Sequence, residues 1–194
     1  MARGEMHKVL RLDSVDSTNS EAKRKIAALG NMSVIAAYEQ TLGRGQRGNI
    51  WLSEPGQNLT FSIVLKYGQM QVKMKAQEQF KISEITALSV VDLLAEYGIE
   101  ARIKLPNDIY VGDRKICGIL IEHALQGESL EHSIVGVGLN VNQVMFDPSL
   151  PNPVSMRQCV SQAQDPFDLD TLLKQFMDIF CSHLQKIIIF APGN

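Results

Sequence analysis

What this chain has little of narrows its function before any motif is read. Its 194 residues include three cysteines, Cys117, Cys159 and Cys181, few and widely spaced. That excludes a disulfide framework and a zinc-finger spacing, and it fits a reducing, cytoplasmic setting. None of the four histidines pairs with a cysteine or carboxylate at a metal-ligand spacing, so no structural metal is expected. The longest apolar stretches, Ile85 to Ala95 and Ile187 to Ala191, are too short or too interrupted to cross a bilayer. The first residues, Met1 to Lys8, hold no apolar signal core. An excess of charge is missing too: 19 Lys and Arg stand against 21 Asp and Glu, a net charge of −2. No global positive field advertises nucleic acid, so any anion site has to be local. We therefore expect neither a nucleic-acid nor a membrane partner.

What remains is an ordinary globular composition, 45% hydrophobic and 21% charged, over a length that suits one compact domain, residues 1–194. Within it, the stretch Glu39 to Trp51 stands out. Gly43, Gly45 and Gly48 leave the backbone free to turn sharply and to approach a ligand closely. Consecutive N–H groups in such a turn can cradle an anion. Arg44 and Arg47 add cationic donors suited to phosphate or carboxylate, and Trp51 adds a flat apolar face. These parts suit a loop that closes over a charged, nucleotide-like ligand. It is neither a phosphate loop ending in Gly-Lys-Ser/Thr nor a dinucleotide fingerprint opening a helix. A flexible connection with solvated arginines explains the same residues, and the loop alone does not separate the two.

The rest of the chain supplies a framework. His7 to Leu12 reads as a strand, and Asp13 to Glu21 is dense in helix-capping residues. Ser17, with Glu21 behind it, predicts a capped helix running to Leu29 and stopping at Gly30. Ser33 to Tyr38 and Leu59 to Leu65 read as strands on either side of the glycine loop. Ala76 to Tyr97 predicts a long, largely buried helix ended by Gly98. Ala101 to Leu105 is a short strand stopped by Pro106. Ile109 to Val111 and Ile116 to Glu122 read as a hairpin around Gly112-Asp113-Arg114. Lys115 opens its second strand, where an edge lysine that discourages sheet pairing is an equal explanation. Ile134 to Val141 is another strand, and glycines at alternate positions, Gly136 and Gly138, imply that something packs flat on one face. Met156 to Val160 suggests a turn or two of helix, and Asp168 to Ile189 a second long one.

Taken together, Ser17-Thr18-Asn19, the Gly43-Arg44-Gly45-Gln46-Arg47-Gly48 loop with Trp51, Lys104-Leu105-Pro106-Asn107-Asp108, Lys115-Ile116-Cys117-Gly118-Ile119-Leu120 and Gly136-Val137-Gly138-Leu139-Asn140 resemble the biotin protein ligases in order and spacing. The resemblance implies an α/β (α+β) fold: a mixed, largely antiparallel sheet flanked by helices, related to class II aminoacyl-tRNA synthetases. It also implies a two-step reaction. Biotin is activated by ATP, with Mg²⁺, to biotinyl-5′-AMP, and the biotinyl group then passes to a lysine of a biotin carboxyl-carrier domain of a carboxylase.

By the same resemblance, Ser17, Thr18, Asn19 and Gln40 would hold the ureido end of biotin. Gly43, Arg44, Gly45 and Gln46 would fold over its chain and the adenylate phosphate. Lys115 would bridge carboxylate and α-phosphate as the central catalytic group, with Arg44 beside it. Gly118, Leu120, Gly136 and Gly138 would wall the bicyclic ring. Arg47, Trp51, Lys104, Asn107, Asp108 and Asn140 would serve the nucleotide, Trp51 on adenine and Lys104 and Asp108 near phosphates and magnesium. Two positions depart from the family pattern: Gln46 stands where arginine is common, and Leu105 where tryptophan is. Neither an N-terminal helix-turn-helix nor a C-terminal small β-barrel is expected within this sequence. A homodimer by strand pairing is compatible with the fold. The alternatives are a lipoate or octanoate ligase or transferase of the same architecture, whose histidine-bearing glycine block is missing here, and a non-catalytic ligand- or RNA-binding module built on the basic side chains.

Overall fold

A computed structural model of the chain describes residues 8–106, 108–160 and 165–189. The described strands are β1 (Val9–Val15), β2 (Ser33–Gln40), β3 (Leu59–Lys66), β4 (Arg102–Lys104), β5 (Asp108–Val111), β6 (Arg114–Gln126) and β7 (Ser129–Leu139). They form one seven-stranded sheet in the order β1-β2-β3-β7-β6-β5-β4. Only the β1/β2 pair is parallel among these neighbours; the others are antiparallel, so the sheet is mixed and largely antiparallel as expected. The helices are α1 (Thr18–Arg24), α2 (Phe80–Glu96), α3 (Met156–Cys159) and α4 (Leu169–Ile189).

Strand side chains alternate between two faces, and here the two faces have different fates. Leu59, Phe61, Ile63 and Leu65 of β3 and Val135, Val137 and Leu139 of β7 join the main core beneath α2 and α4. Phe61 meets Phe176 of α4 edge-on, with ring centroids 5.1 Å apart. His183 of α4 contacts Asp92 of α2 at 2.7 Å, so that histidine ties two helices together. On the opposite face, Ile35, Val64 and Ile134 pack under Ala22 of α1 and Leu29 in a smaller cluster. Further along the same face, Thr60, Ser62, Gly136, Gly138, Gly118 and Leu120 carry the site.

Several boundaries differ from the sequence reading, for local reasons. β1 continues to Val15 because it pairs with β2 as far as Gln40. α1 ends at Arg24 rather than Leu29, where Ile26 N–H turns back to Lys23 O, and Leu29 is drawn onto the small cluster. Ser17 is the N-cap residue, yet its side chain makes no capping bond; its N–H donates to Asp16 Oδ1 at 2.7 Å. The long helix is preceded by a separate 3₁₀ turn, Ala76–Glu78, and closes at Gly98 (φ 70°), where Ile99 N–H reaches Leu94 O at 3.0 Å. Lys115 is not on a sheet edge: β6 lies between β7 and β5.

Candidate active site

The floor of the site follows from strand register. Gly138 of β7 lies opposite Gly118 of β6 and Thr60 of β3, and Gly136 opposite Leu120 and Ser62. Gly118 and Gly138 therefore bare the backbone of two adjacent strands at one level, and Gly136 bares β7 at the next. Something does pack flat there. A Cβ at Gly138 would lie 2.5 Å from the Trp51 indole and one at Gly118 2.9 Å from it, while one at Gly136 would lie 2.3 Å from Asn19 Oδ1. Such separations are well inside van der Waals contact, so each glycine is required by its neighbour.

One end of this floor is polar and closed. Ser17, Thr18 and Asn19 are buried where β1 hands over to α1. The parallel pairing of β1 and β2 brings the end of β2 beside them, and Gln40 Oε1 accepts from the Thr18 N–H at 2.8 Å and its hydroxyl at 3.1 Å. Buried Ser62 lies 2.8 Å from Thr18 Oγ1 and 2.6 Å from Asn19 Oδ1. Asn19 Nδ2 donates to Leu120 O at 3.1 Å and to Glu122 Oε2 at 2.9 Å. The amide and hydroxyl groups are thus held by one another in fixed orientations, as a polar recognition surface requires.

Over the floor arches the glycine loop. Trp51 N–H bonds Gly43 O at 2.9 Å, Gly45 N–H bonds Asn49 O at 2.8 Å, and Arg44 bridges Ile50. The tip turns at Arg47 (φ 55°) and Gly48 (φ 82°). A non-glycine residue in the left-handed region is locally unfavourable, and it persists where surrounding structure enforces it. The Arg44 guanidinium is 2.8 Å from Glu122 Oε1 and 3.2 Å from Ser20 Oγ. Burial opposes ionisation of Glu122, but the hydrogen bonds from Arg44 and Asn19, with the nearby charges of Arg44 and Lys23, outweigh it and hold the carboxyl below its ordinary range.

The cation of the site is Lys115. Its ammonium lies 2.7 Å from Asp108 Oδ1 and 5.7 Å from the Trp51 ring centroid. Its backbone is clamped from the outer side: Lys115 N–H bonds Asn152 O at 2.8 Å, and Val154 N–H bonds Lys115 O at 2.9 Å. Asn140 fixes that clamp, donating to Val154 O at 3.0 Å. Cys117, two residues on, is fully buried, and burial pushes its thiol far above the ordinary range. It is no nucleophile.

The cavity enclosed by these parts measures about 250 Å³. Of the residues expected from sequence, it gathers Ser17, Thr18, Asn19 and Gln40 at the closed end, and Arg44, Gly45, Gln46, Arg47 and Trp51 on the loop. Asp108, Lys115, Gly118, Leu120, Gly136 and Gly138 complete it. Three others lie elsewhere. Gly43 closes the loop hairpin outside this cavity. Exposed Lys104 rests its ammonium 4.5 Å above the Tyr110 ring, where a cation–π contact holds it off the cavity. Asn140 is buried, with its amide spent on the clamp. Asn107 lies outside the described residues. The sequence reading missed Ser62 and Glu122 as parts of the site. Glu122 was within reach, since it continues the Gly118, Leu120 alternation of β6; Ser62 reads as an ordinary strand serine.

Residues 10–140, about two thirds of the chain, match the model of the biotin/lipoate A/B protein ligase family. The chain belongs to that family. Among relatives of this ligase family, the biotin–[acetyl-CoA-carboxylase] ligase of Paracoccus denitrificans is 32% identical over 85% of this chain and 70% of its own length. The bifunctional ligase/repressor BirA of Escherichia coli is 30% identical over 73% of this chain but only 43% of its own length, so the chain spans under half of that relative. Among solved structures, the biotin protein ligase of Aquifex aeolicus in complex with biotin and ATP superposes with a TM-score of 0.79 at 26% identity, over 95% of this chain and 73% of that one. The fold expected from sequence is therefore that of the biotin protein ligases.

Proposed function

We propose that this chain activates biotin with ATP to biotinyl-5′-AMP and transfers the biotinyl group to a lysine of a biotin carboxyl-carrier domain. The observation that carries the reading is the meeting, in one cavity, of a bare glycine floor, a closed end of fixed amides and hydroxyls, and a cationic end made by Lys115 and the arginine loop. A biotin bicycle needs all three: a flat apolar slot, partners for a ureido group that both donates and accepts, and positive charge where its carboxylate meets a phosphate. A lipoyl ring offers no ureido, so the Thr18, Asn19 and Gln40 cluster supports biotin over lipoate. A surface module for RNA is disfavoured by the enclosed cavity and by the net charge of −2.

In the first step the carboxylate attacks the α-phosphate and pyrophosphate leaves. Two anions must meet, and the barrier falls when fixed cations face the oxygens on which charge accumulates. Lys115 supplies the ammonium, held by Asp108 and by the clamp on its main chain. Arg47 at the loop tip adds positive charge, Arg44 holds the loop down through Glu122, and closure keeps the mixed anhydride from water. In the second step the carrier's lysine amine attacks the anhydride carbonyl and AMP departs. No cluster of three or more His, Cys, Asp or Glu side chains able to hold a metal occurs among the described residues. Asp108, the carboxylate that lines the cavity, would be the residue to face a magnesium ion brought by the triphosphate. Magnesium would supply neutralisation of the leaving pyrophosphate.

Trp51 changes place in this scheme. Its indole lies on Gly118 and Gly138, and its buried Nε1 has no hydrogen-bond partner among the described residues. The bicycle takes that slot as the indole moves outward, where it packs on adenine. Incubation with biotin, Mg·ATP and a carrier domain, followed by the intact mass of the carrier, tests the function directly. A mass increase of one biotinyl group is expected; an unmodified carrier, or preference for lipoate, refutes it. No described helix is long and apolar enough to cross a membrane.

A further inference from the structure

We infer that Glu122 is a positioning residue, whose two carboxylate oxygens tie the arginine loop to the ureido end of the pocket and so keep the activated intermediate covered. The inference rests on the biotin-activating reading of the same site. Glu122 is not among the residues that line the cavity. Its Oε1 holds Arg44 at 2.8 Å, and its Oε2 holds Asn19 Nδ2 at 2.9 Å. Arg44 lines the cavity from the loop and Asn19 from the N-terminal turn of α1, so one carboxylate joins two walls that are 25 residues apart in sequence. The joint is braced on both sides. Ser20 of α1 lies 3.2 Å from the same guanidinium, and Asn19 Oδ1 is fixed by Ser62 at 2.6 Å above the space that Gly136 leaves open.

The consequence is a coupling between recognition and cover. A ligand that seats against Asn19 stiffens the amide, the amide orients Glu122, and Glu122 holds Arg44 at the loop's near end. The Glu122 side chain is only 29% exposed, which makes its two charge-assisted bonds count for more than a fully exposed pair would. The loop's own backbone bonds, Trp51 to Gly43 and Gly45 to Asn49, shape the hairpin; Leu42 N–H on Asp16 O holds its start and the Trp51 indole on Gly118 and Gly138 its end, so the Glu122–Arg44 pair is what fastens the arm between them.

Glu122→Gln keeps the size and an acceptor for Asn19 but removes the charge facing Arg44, and two measurements test it. The first is trypsin cleavage after Arg44 and Arg47 in the ligand-free protein, which requires no catalysis; the variant should be cut about fivefold faster, in proportion to the lost ion pair. The second is AMP release with biotin and Mg·ATP but without carrier, a measure of escaped or hydrolysed intermediate. It should rise by about fivefold, and 1 M salt should raise the parent's release toward the variant's by screening the same pair. Unchanged cleavage overturns the inference, and so does faster cleavage with unchanged AMP release, which would reduce Glu122 to a tether without effect on the intermediate. A parent that forms no adenylate defeats the functional reading instead, and the cleavage rates still decide whether Glu122 fastens the loop. Should the Gln variant not fold, Ser20→Ala removes the weaker contact to Arg44 and is expected to raise both rates about twofold. No change in either rate there counts against the inference.

Discussion

The two faces of the sheet are built from the same strands by opposite rules. Toward α2 and α4, alternate residues of β3, β6 and β7 are large and apolar, and they seal a core of Phe61, Ile63, Val137 and their neighbours. Toward the cavity, the residues in between are glycine, serine and threonine with Leu120 as the one large side chain, and space is left open. A neighbouring pair makes the contrast sharp: Val137 is buried in the core while Gly138, next along the chain, has no side chain at all and supports an indole. One face stabilises the fold, and the other spends some of that stability on a slot. The difference teaches that substitutions on β3, β6 and β7 should sort by parity, into losses of stability or losses of binding.

The largest break in that pattern is expected at Lys115. Lys115→Ala should lower pyrophosphate release from biotin and ATP by about 10³, in line with removing one preorganised charge from a transition state, and leave thermal unfolding nearly unmoved. Lys115→Arg should be impaired as well, because a planar fork does not replace a compact ammonium. Full activity in the alanine variant would remove the residue from the chemistry. Next comes Gly138→Ala, which puts a methyl into the slot: biotin affinity by calorimetry should fall by about 30-fold, roughly 2 kcal/mol, while the chain still folds. On the core face, Ile63→Val should do the reverse, costing about 1 kcal/mol in denaturant unfolding with biotin affinity unchanged. If Ile63→Val weakened binding as much as Gly138→Ala, the separation of faces would fail.

The smallest effect expected is with pH. The Glu122 carboxyl is held below the ordinary 4.5 in the folded chain, so its contribution is fully present above that value and is lost as pH falls through the lowered one. Arg44 and Lys23 are the charges that face it. The emission of Trp51, the single tryptophan, should report loosening of the loop as pH falls below 4.5, with no change above it. That change should be absent in Glu122→Gln, and its persistence there would assign the transition to another group.

The strands, the two long helices and the glycine floor were legible because they rest on alternation, helical periodicity and unusual glycine placement. What stayed hidden depended on which chain segments meet. Asn140 and Lys104 carry residue types suited to a nucleotide, but the clamp at Val154 and the ring of Tyr110 claim their side chains first. Glu122 looked like a strand terminus until Arg44 and Asn19 came to it from two directions. The start of α1 at Ser17 was legible, but its early end at Arg24 was not, because it depends on Leu29 being drawn onto the small cluster under the sheet. Sequence spacing gave the list of groups; only the tertiary pairing tells which of them are already engaged.

The stretch from Asn152 to Val154 holds the main chain of Lys115 without belonging to the sheet. It ends a proline-rich connection that begins at Asp147 rather than following a regular element. The main chain of Lys115 is therefore held in part from a segment that contributes no residue to the lining of the cavity. A change in the length of that turn would reach the cavity through the backbone of Lys115 alone and leave the polar end of Thr18, Asn19 and Gln40 as it is.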